Sequence, residues 1–289
     1  MNAAAVESRS PTQLALRRFV KNRRAMVCFW ILSALGLSTV VIPLLSSHDF
    51  RTQTLELQKQ APNRTYWMGT DPNGRDLLVR TFMGGRISFA VGLLATAVSL
   101  AIGVAYGATA GFLGRRTDTV MMRFVDVLYG LPTMFLVIIV MAVLGRSFLI
   151  VFMVLGCFSW MTMSRIVRGQ VLSLKEKEFV EAARALGVPT PAIIARHMIP
   201  NILGPVIVYS TLTVPSVMLQ EAFLSFLGLG ISEPATSWGL LISDGAGALN
   251  PLRVYWWLVV FPGSQLAATL YCLNAVGDGL RDAFDVQQK

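Results

Sequence analysis

The apolar positions of this chain gather into long runs, not into the alternation of a half-buried sheet or the narrow stripes of a soluble helix. Six runs stand out, over residues 26–45, 87–113, 125–144, 148–163, 202–227 and 254–273. A helix needs roughly 20 mostly apolar residues to cross about 30 Å of hydrocarbon, and only the fourth run is short, extending toward Val167. Membrane β-strands would read as short alternating segments instead. The pattern therefore predicts an all-α integral membrane protein with six transmembrane helices. Composition agrees: 54% hydrophobic and 14% charged residues, with a mean hydropathy of +0.59, exclude an ordinary water-soluble fold.

The first run follows Arg17, Arg18, Lys21, Arg23 and Arg24, as a secretory leader would. It is longer than a leader's roughly 7 to 15 apolar residues and ends without a small-x-small cleavage site, so it reads as an uncleaved span. With the N-terminus inside, 17 of the 25 Lys and Arg residues fall on the cytoplasmic side, which places both termini there. The formal charge of +9 is thus a topology signal. Basic residues dispersed over loops give no nucleic-acid surface. The expected organisation is a cytoplasmic segment 1–25, mobile up to about Thr12, a first span 26–45 and an external segment 46–86. A five-helix core 87–277 and a cytoplasmic tail 278–289 follow. The core carries a cytoplasmic loop 165–201 and an external segment 228–253.

Turn formers crowd residues 68–76, after which residues 77–83 resume an apolar pattern expected to form a short interfacial helix feeding span two. Tyr255, Trp256 and Trp257 suit an aromatic belt at the head groups. Gly103, Gly107 and Gly111 put small residues on one face of span two, where a neighbouring helix can approach closely. Pro132, Pro215 and Pro262 interrupt spans three, five and six. Cys28, Cys157 and Cys272 sit in apolar runs without ligand partners and read as packing residues. Asp126 is expected to pair with Arg123 one turn away. Glu221, in span five, has two readings: it faces a water-filled translocation path, or it lies near the outer end of the span and bonds to the 228–239 segment.

The most informative stretch is polar. Between spans four and five, Ser173 and Glu176 have capping-box spacing for a helix over 174–186, which Gly187 and Pro189 would stop. Thr190 and Pro191 would cap and start a second helix ending at or before Pro200. Phe179, Ala183 and Leu186 fall on one face, Glu178 and Glu181 on another. Such a helix either docks a protein partner or lies on acidic lipid through Lys175, Lys177 and Arg184. His197 has no second ligand at i+4 for a metal.

The Glu181-Ala182-Ala183, Gly187 and Ile199-Pro200 pattern resembles the EAA loop of ABC importer permeases, with His197 standing at the usual isoleucine position. Further blocks resemble the oligopeptide and dipeptide permease family, and its C-type subunit in particular. They include Gly69-Thr70-Asp71, Gly74-Arg75-Asp76, Arg123-Phe124-Val125-Asp126, Arg165-x-x-Arg168-Gly169-Gln170 and the run from Glu221 to Gly230. Ser237-Trp238-Gly239 and Gly277-Asp278-Gly279-Leu280-Arg281-Asp282 complete the set. The resemblance implies a type I ABC importer permease fold in the bacterial cytoplasmic (inner) membrane. It assigns ATPase coupling to Glu178, Glu181, Ala182, Ala183, Gly187, His197 and Pro200. The implied partners are a homologous second permease, two cytoplasmic ABC ATPase subunits or domains and an external peptide-binding protein, besides membrane lipid.

No Gly-Lys dipeptide occurs in the chain, so a P-loop is absent and ATP and Mg would bind on the ATPase partners, with no cofactor in this chain. The chain is expected to be a permease, not an enzyme. Non-peptide cargo such as a nickel chelate or glutathione is an alternative within the same class. An ion-coupled secondary transporter would need several intramembrane acids, where Glu221 is nearly alone.

Overall fold

The computed structural model describes residues 11–250 and 253–284. It is helical throughout, and among the described residues extended pairing is confined to the isolated bridges Thr70 with Asp76 and Asn250 with Arg253. A short helix α1 (Pro11–Lys21) precedes α2 (Arg23–Leu45), the first span. α1 is ordered because Ala15 and Phe19 pack against Ala25 and Ala283, tying the two chain ends together on one side of the bundle. The expected mobile residues 1–10 lie outside the described residues.

The second span is longer than the apolar run indicates. α3 (Leu77–Leu113) is one helix of 37 residues, about 55 Å long. Residues 77–83 are its first two turns, not a separate interfacial helix. Asp76 caps it, accepting from Leu78 N at 2.8 Å, and its other carboxylate oxygen meets His48 Nδ1 at 2.7 Å.

The third span is broken. α4 (Arg115–Tyr129) and α5 (Thr133–Leu144) meet at an angle of 78°. Pro132 supplies no N–H and disfavours a helical residue before it, so the chain turns at Gly130-Leu131-Pro132 instead of kinking mildly. Pro205, Pro215 and Pro262, by contrast, lie within continuous helices. The remaining spans are α6 (Phe148–Leu174), α9 (Ile199–Phe226) and α11 (Trp257–Phe284), the first reaching well past Val167 and the last past Leu273. Counting the broken pair as one, the described residues hold six helical segments long and apolar enough to cross a membrane.

α3 and α6 make the closest helix pair. A Cβ added at Gly107 would stand 2.3 Å from the Ser164 carbonyl oxygen, and one at Gly103 2.6 Å from Met163 Cβ. Glycine is therefore what lets the two backbones touch. Cys28 and Cys272 pack together in the interior as free thiols, while Cys157 is exposed.

The two segments expected to be external, 46–86 and 228–253, close one end of the bundle together. Gly69 and Gly74 take positive φ (78° and 75°), and a Cβ at Gly74 would collide with the Thr54 carbonyl. The second segment forms α10 (Trp238–Gly247), whose Trp238 is fully buried and donates from Nε1 to the Thr81 carbonyl at 2.9 Å. Of the expected aromatic belt, Trp256 is exposed but Trp257 packs inward against Leu77, Leu241 and Leu258.

Candidate coupling loop and translocation face

The cytoplasmic loop starts later than its capping signal indicates. Nothing between Arg165 and Ser173 breaks a helix, so α6 runs on to Leu174, and Ser173 donates to the Gln170 carbonyl at 2.8 Å. The Ser173–Glu176 capping box is therefore not formed. α7 (Glu178–Ala185) begins after Lys177 and is about 12 Å long.

Its end matches the expectation. Gly187 has φ +74°, its N–H donates to the Arg184 carbonyl at 3.0 Å, and Val188 N donates to the Ala183 carbonyl at 3.1 Å. These paired bonds are the Schellman closure that a left-handed glycine permits.

The two faces of α7 differ from the sequence expectation. Val180 and Ala183, one turn apart, are buried against Phe112, Val171, Ile193 and Met198. Arg184 lies over the Phe112 ring at 4.8 Å. Phe179 and Leu186 are not on this inner face; Leu186 is 83% exposed and Phe179 is exposed beside Glu178, Glu181 and Ala182. Ala183 is thus an internal packing residue and Ala182 a surface one.

Beyond the turn, α8 (Thr190–Ile193) begins at Thr190 itself, with Pro189 as N-cap. The helical run that it opens does not stop before Pro200. A π-turn, Ile194–Met198, in which Ile199 N donates to the Ile194 carbonyl, carries the helix into α9. Pro200 cannot donate and its ring crowds the preceding turn, and the widened turn makes the room. His197 sits in this π-turn, where its carbonyl accepts from Asn201 Nδ2 at 2.7 Å. Glu178, Glu181, Ala182, Ala183 and Gly187 thus share α7 and its cap, while His197 and Pro200 mark the root of α9.

Ion pairs fasten the loop's neighbours. Asp118 of α4 takes both Nε and Nη2 of Arg168, the latter at 2.5 Å. Asp126 pairs with Arg165 of α6 at 2.6 Å instead of its helix neighbour Arg123. Arg165 also covers the Tyr129 ring at 4.0 Å. Paired residues 39 and 50 positions apart leave no local spacing to read.

At the opposite end of α3, Asp71 accepts from Arg75 Nε at 2.7 Å and from Arg80, and Arg75 Nη2 donates to Glu233 at 2.7 Å. This cluster, buried at Asp71, Arg75 and Arg80 and half-exposed at Glu233, ties the 46–86 segment to the 228–253 segment. The hydrogen bond from Arg75 outweighs partial burial and holds the Glu233 carboxyl below the usual carboxylate range. Glu221 is 1% exposed and accepts from Ser225 Oγ at 2.8 Å, with Ser88 Oγ at 3.5 Å; Ser225 in turn approaches Ser237 at 3.4 Å. Its hydrogen-bond partners are thus Ser225 of its own helix and Ser88 of α3, and it reaches the 228–239 segment through Ser225 and Ser237.

A cavity of about 460 Å³ opens instead at the elbow between α4 and α5, lined by the adjacent faces of α6 and α9. Gln220, next to Glu221 in sequence, lines it. The sequence signal for this face is a polar row, Tyr209, Thr213, Ser216 and Gln220, spaced four, three and four along the span. The reading by charge passed over it. Among the described residues no group of three His, Cys, Asp or Glu side chains is placed to hold a metal ion.

Residues 97–287 match the family described as binding-protein-dependent transport system inner membrane component, and residues 10–62 match the N-terminal transmembrane domain of oligopeptide transport permease C. The oligopeptide transport system permease protein OppC of Haemophilus influenzae is 46% identical over 98% of this chain and 91% of its own length. OppC of Escherichia coli is 47% identical over 98% and 94%. The dipeptide transport system permease protein DppC of Bacillus subtilis is 44% identical over 96% and 86%. Among solved structures, the MetNI methionine ABC transporter superposes with a TM-score of 0.55 at 15% identity, covering 68% of this chain and 93% of that one. That likeness is one of fold, and it agrees with the type I importer architecture expected from the loop motif. The chain belongs to the binding-protein-dependent transport system inner membrane component family, as a multi-pass permease subunit of an ABC importer.

Proposed function

We propose that this permease forms half of a peptide translocation pathway and is driven by separate cytoplasmic ATPases that dock on α7. The observation that carries the docking is the outer face of α7. Glu178, Phe179, Glu181, Ala182 and Leu186 are exposed together on a helix held by Val180 and Ala183 beneath and capped by Gly187. An acidic and apolar face suits a protein cleft; an anionic bilayer would repel it, and Arg184 is engaged with Phe112. ATP and Mg belong to the ATPase chains, since this chain carries no P-loop lysine. Peptide cargo rests on the relatives, which are named for oligopeptides and for dipeptides. An external binding protein would deliver it, and a homologous second permease would complete the pathway.

The test is reconstitution with the second permease, the ATPases and the binding protein, reading uptake of a labelled peptide pool with and without Glu181→Lys. Uptake that needs ATP and falls at least about tenfold in the variant, the loss of one charged contact, supports this reading. Uptake that ignores ATP and follows a proton gradient would move the protein to the ion-coupled class.

A further inference from the structure

The hollow at the elbow of the broken third span carries a second reading of its own, which rests on the peptide-permease assignment and deepens it. Thirteen residues line it, and none is Asp, Glu, Lys or Arg. Eight of the thirteen are hydroxyl or amide side chains, an unusual concentration at the middle of membrane-spanning helices, where apolar packing is the default. Of the charged groups adjoining it in sequence, Asp126 and Arg165 neutralise each other at 2.6 Å, and Glu221, next to Gln220, accepts from Ser225 and Ser88.

The polarity of these groups is also oriented. Thr213 Oγ1 donates to the Tyr209 carbonyl at 2.8 Å, and Ser159 Oγ to the Leu155 carbonyl at 2.7 Å. Their hydrogens are used within their own helices, so the oxygens that face the hollow are left as acceptors. Gln220 adds a carbonyl acceptor and an amide donor, the latter directed at Ser216 Oγ at 3.4 Å. Tyr209, Thr213, Ser216 and Gln220 share one face of α9, and eleven helical steps separate the first from the last, about 16 Å. An extended peptide advances about 3.4 Å per residue, so the row spans roughly five residues.

We infer that this row is a backbone-reading track: it binds an extended peptide of about five residues through main-chain N–H groups and is indifferent to the charge of the peptide's side chains. Apart from proline, every residue presents the same main-chain donor, and along one edge of an extended peptide these recur at every second residue, about 6.8 Å apart. A lining without formal charge neither attracts nor repels Lys or Glu side chains by more than a dipole's worth. Side-chain selection is then left to whatever delivers the cargo.

The test uses the complete reconstituted importer and three pentapeptides of alanine, one neutral, one with a central lysine and one with a central glutamate. The variant is Thr213→Val with Ser216→Ala and Gln220→Leu. Uptake of all three peptides is expected to fall by a common factor of roughly tenfold, the loss of one or two neutral hydrogen bonds, with ATPase subunits still copurifying. Unchanged uptake, or a fall confined to one charge class, overturns the track. If the triple variant fails to assemble, Ser216→Cys in a Cys157→Ser background is labelled with a thiol reagent during turnover. Protection by all three peptides alike supports the track, and no protection by any overturns it. A wild-type complex that takes up none of the three with ATP overturns the cargo reading itself, separately from any effect of the variants.

Discussion

At single positions the decisive quantity is whether a glycine is required by its backbone or by its neighbour. Gly187 has nothing within 4 Å of where a Cβ would stand, but its φ is +74°. Gly187→Val should therefore cost about 1–3 kcal/mol through backbone strain alone, leaving the permease inserted while ATPase copurification falls. Gly187→Asn should restore most of it, because asparagine tolerates the left-handed region. Equal copurification by both variants and wild type would show that the cap is not needed for docking. Gly107 is the opposite case: its backbone is helical, yet a Cβ would lie 2.3 Å from a carbonyl of α6. Gly107→Ala should lower stability by about 1–3 kcal/mol. Gly169→Ala, with open space around it, should be neutral or slightly stabilising. Thermal unfolding of the three proteins in detergent reads the difference directly. The four-residue spacing of Gly103, Gly107 and Gly111 announced this contact, since small residues on one helical face have few other uses in an apolar span. Which face of α7 turns inward was not announced. Phe179 and Leu186 are apolar and sit at helical spacing, but the burial went to Val180 and Ala183, whose partners Phe112, Ile193 and Met198 come from three other elements.

At the scale of elements, apolar runs marked every span but not their true ends. α3 starts ten residues before its apolar run because Arg80 is matched by Asp71 and Thr236, so a charged residue becomes a buried helix position. Pairing across 156 residues carries no local signature. The broken third span was signalled by Pro132, whereas Pro205, Pro215 and Pro262 give the same signal inside helices that stay continuous. Tertiary support decides between the two outcomes. α4 is fastened to α6 by Asp118 with Arg168 and by Asp126 with Arg165, while beyond the elbow α5 packs Val137 and Met141 against Val151 and Leu155 of α6. Removing the first pair with Asp118→Asn should loosen α4 and increase hydrogen exchange in residues 115–129, while exchange in α9 stays as it was. Uniform exchange across both helices would show that the pair does not hold the elbow.

For the whole molecule, span number was legible from the apolar runs, and the family from the spread of its motifs. The outer closure was less so, because its residues come from segments more than 150 positions apart. That closure carries a pH dependence of defined sign. The folded-state pKa of Glu233 is depressed by Arg75, so its contribution is present at neutral pH and is lost as pH falls through the depressed value. Its side chain is 47% exposed, which keeps the effect modest. The stability difference between wild type and Glu233→Gln, followed by thermal unfolding from about pH 7 to well below the usual glutamate value of about 4.3, should begin to shrink near that value and approach zero only below the depressed one. A difference that stays constant or grows would rule out this ion pair as its source.

The helical run from Thr190 to Phe226 is continuous over 37 residues, about 55 Å. It begins beside the loop proposed to dock the ATPases and ends where Ser225 touches Glu221 and Ser237. Such a rod carries messages both ways. If the loop's movement opens or closes the outside, then by reciprocity an occupant arriving outside must alter how readily the loop moves. The inside face can thus sense a waiting load before any of it has crossed.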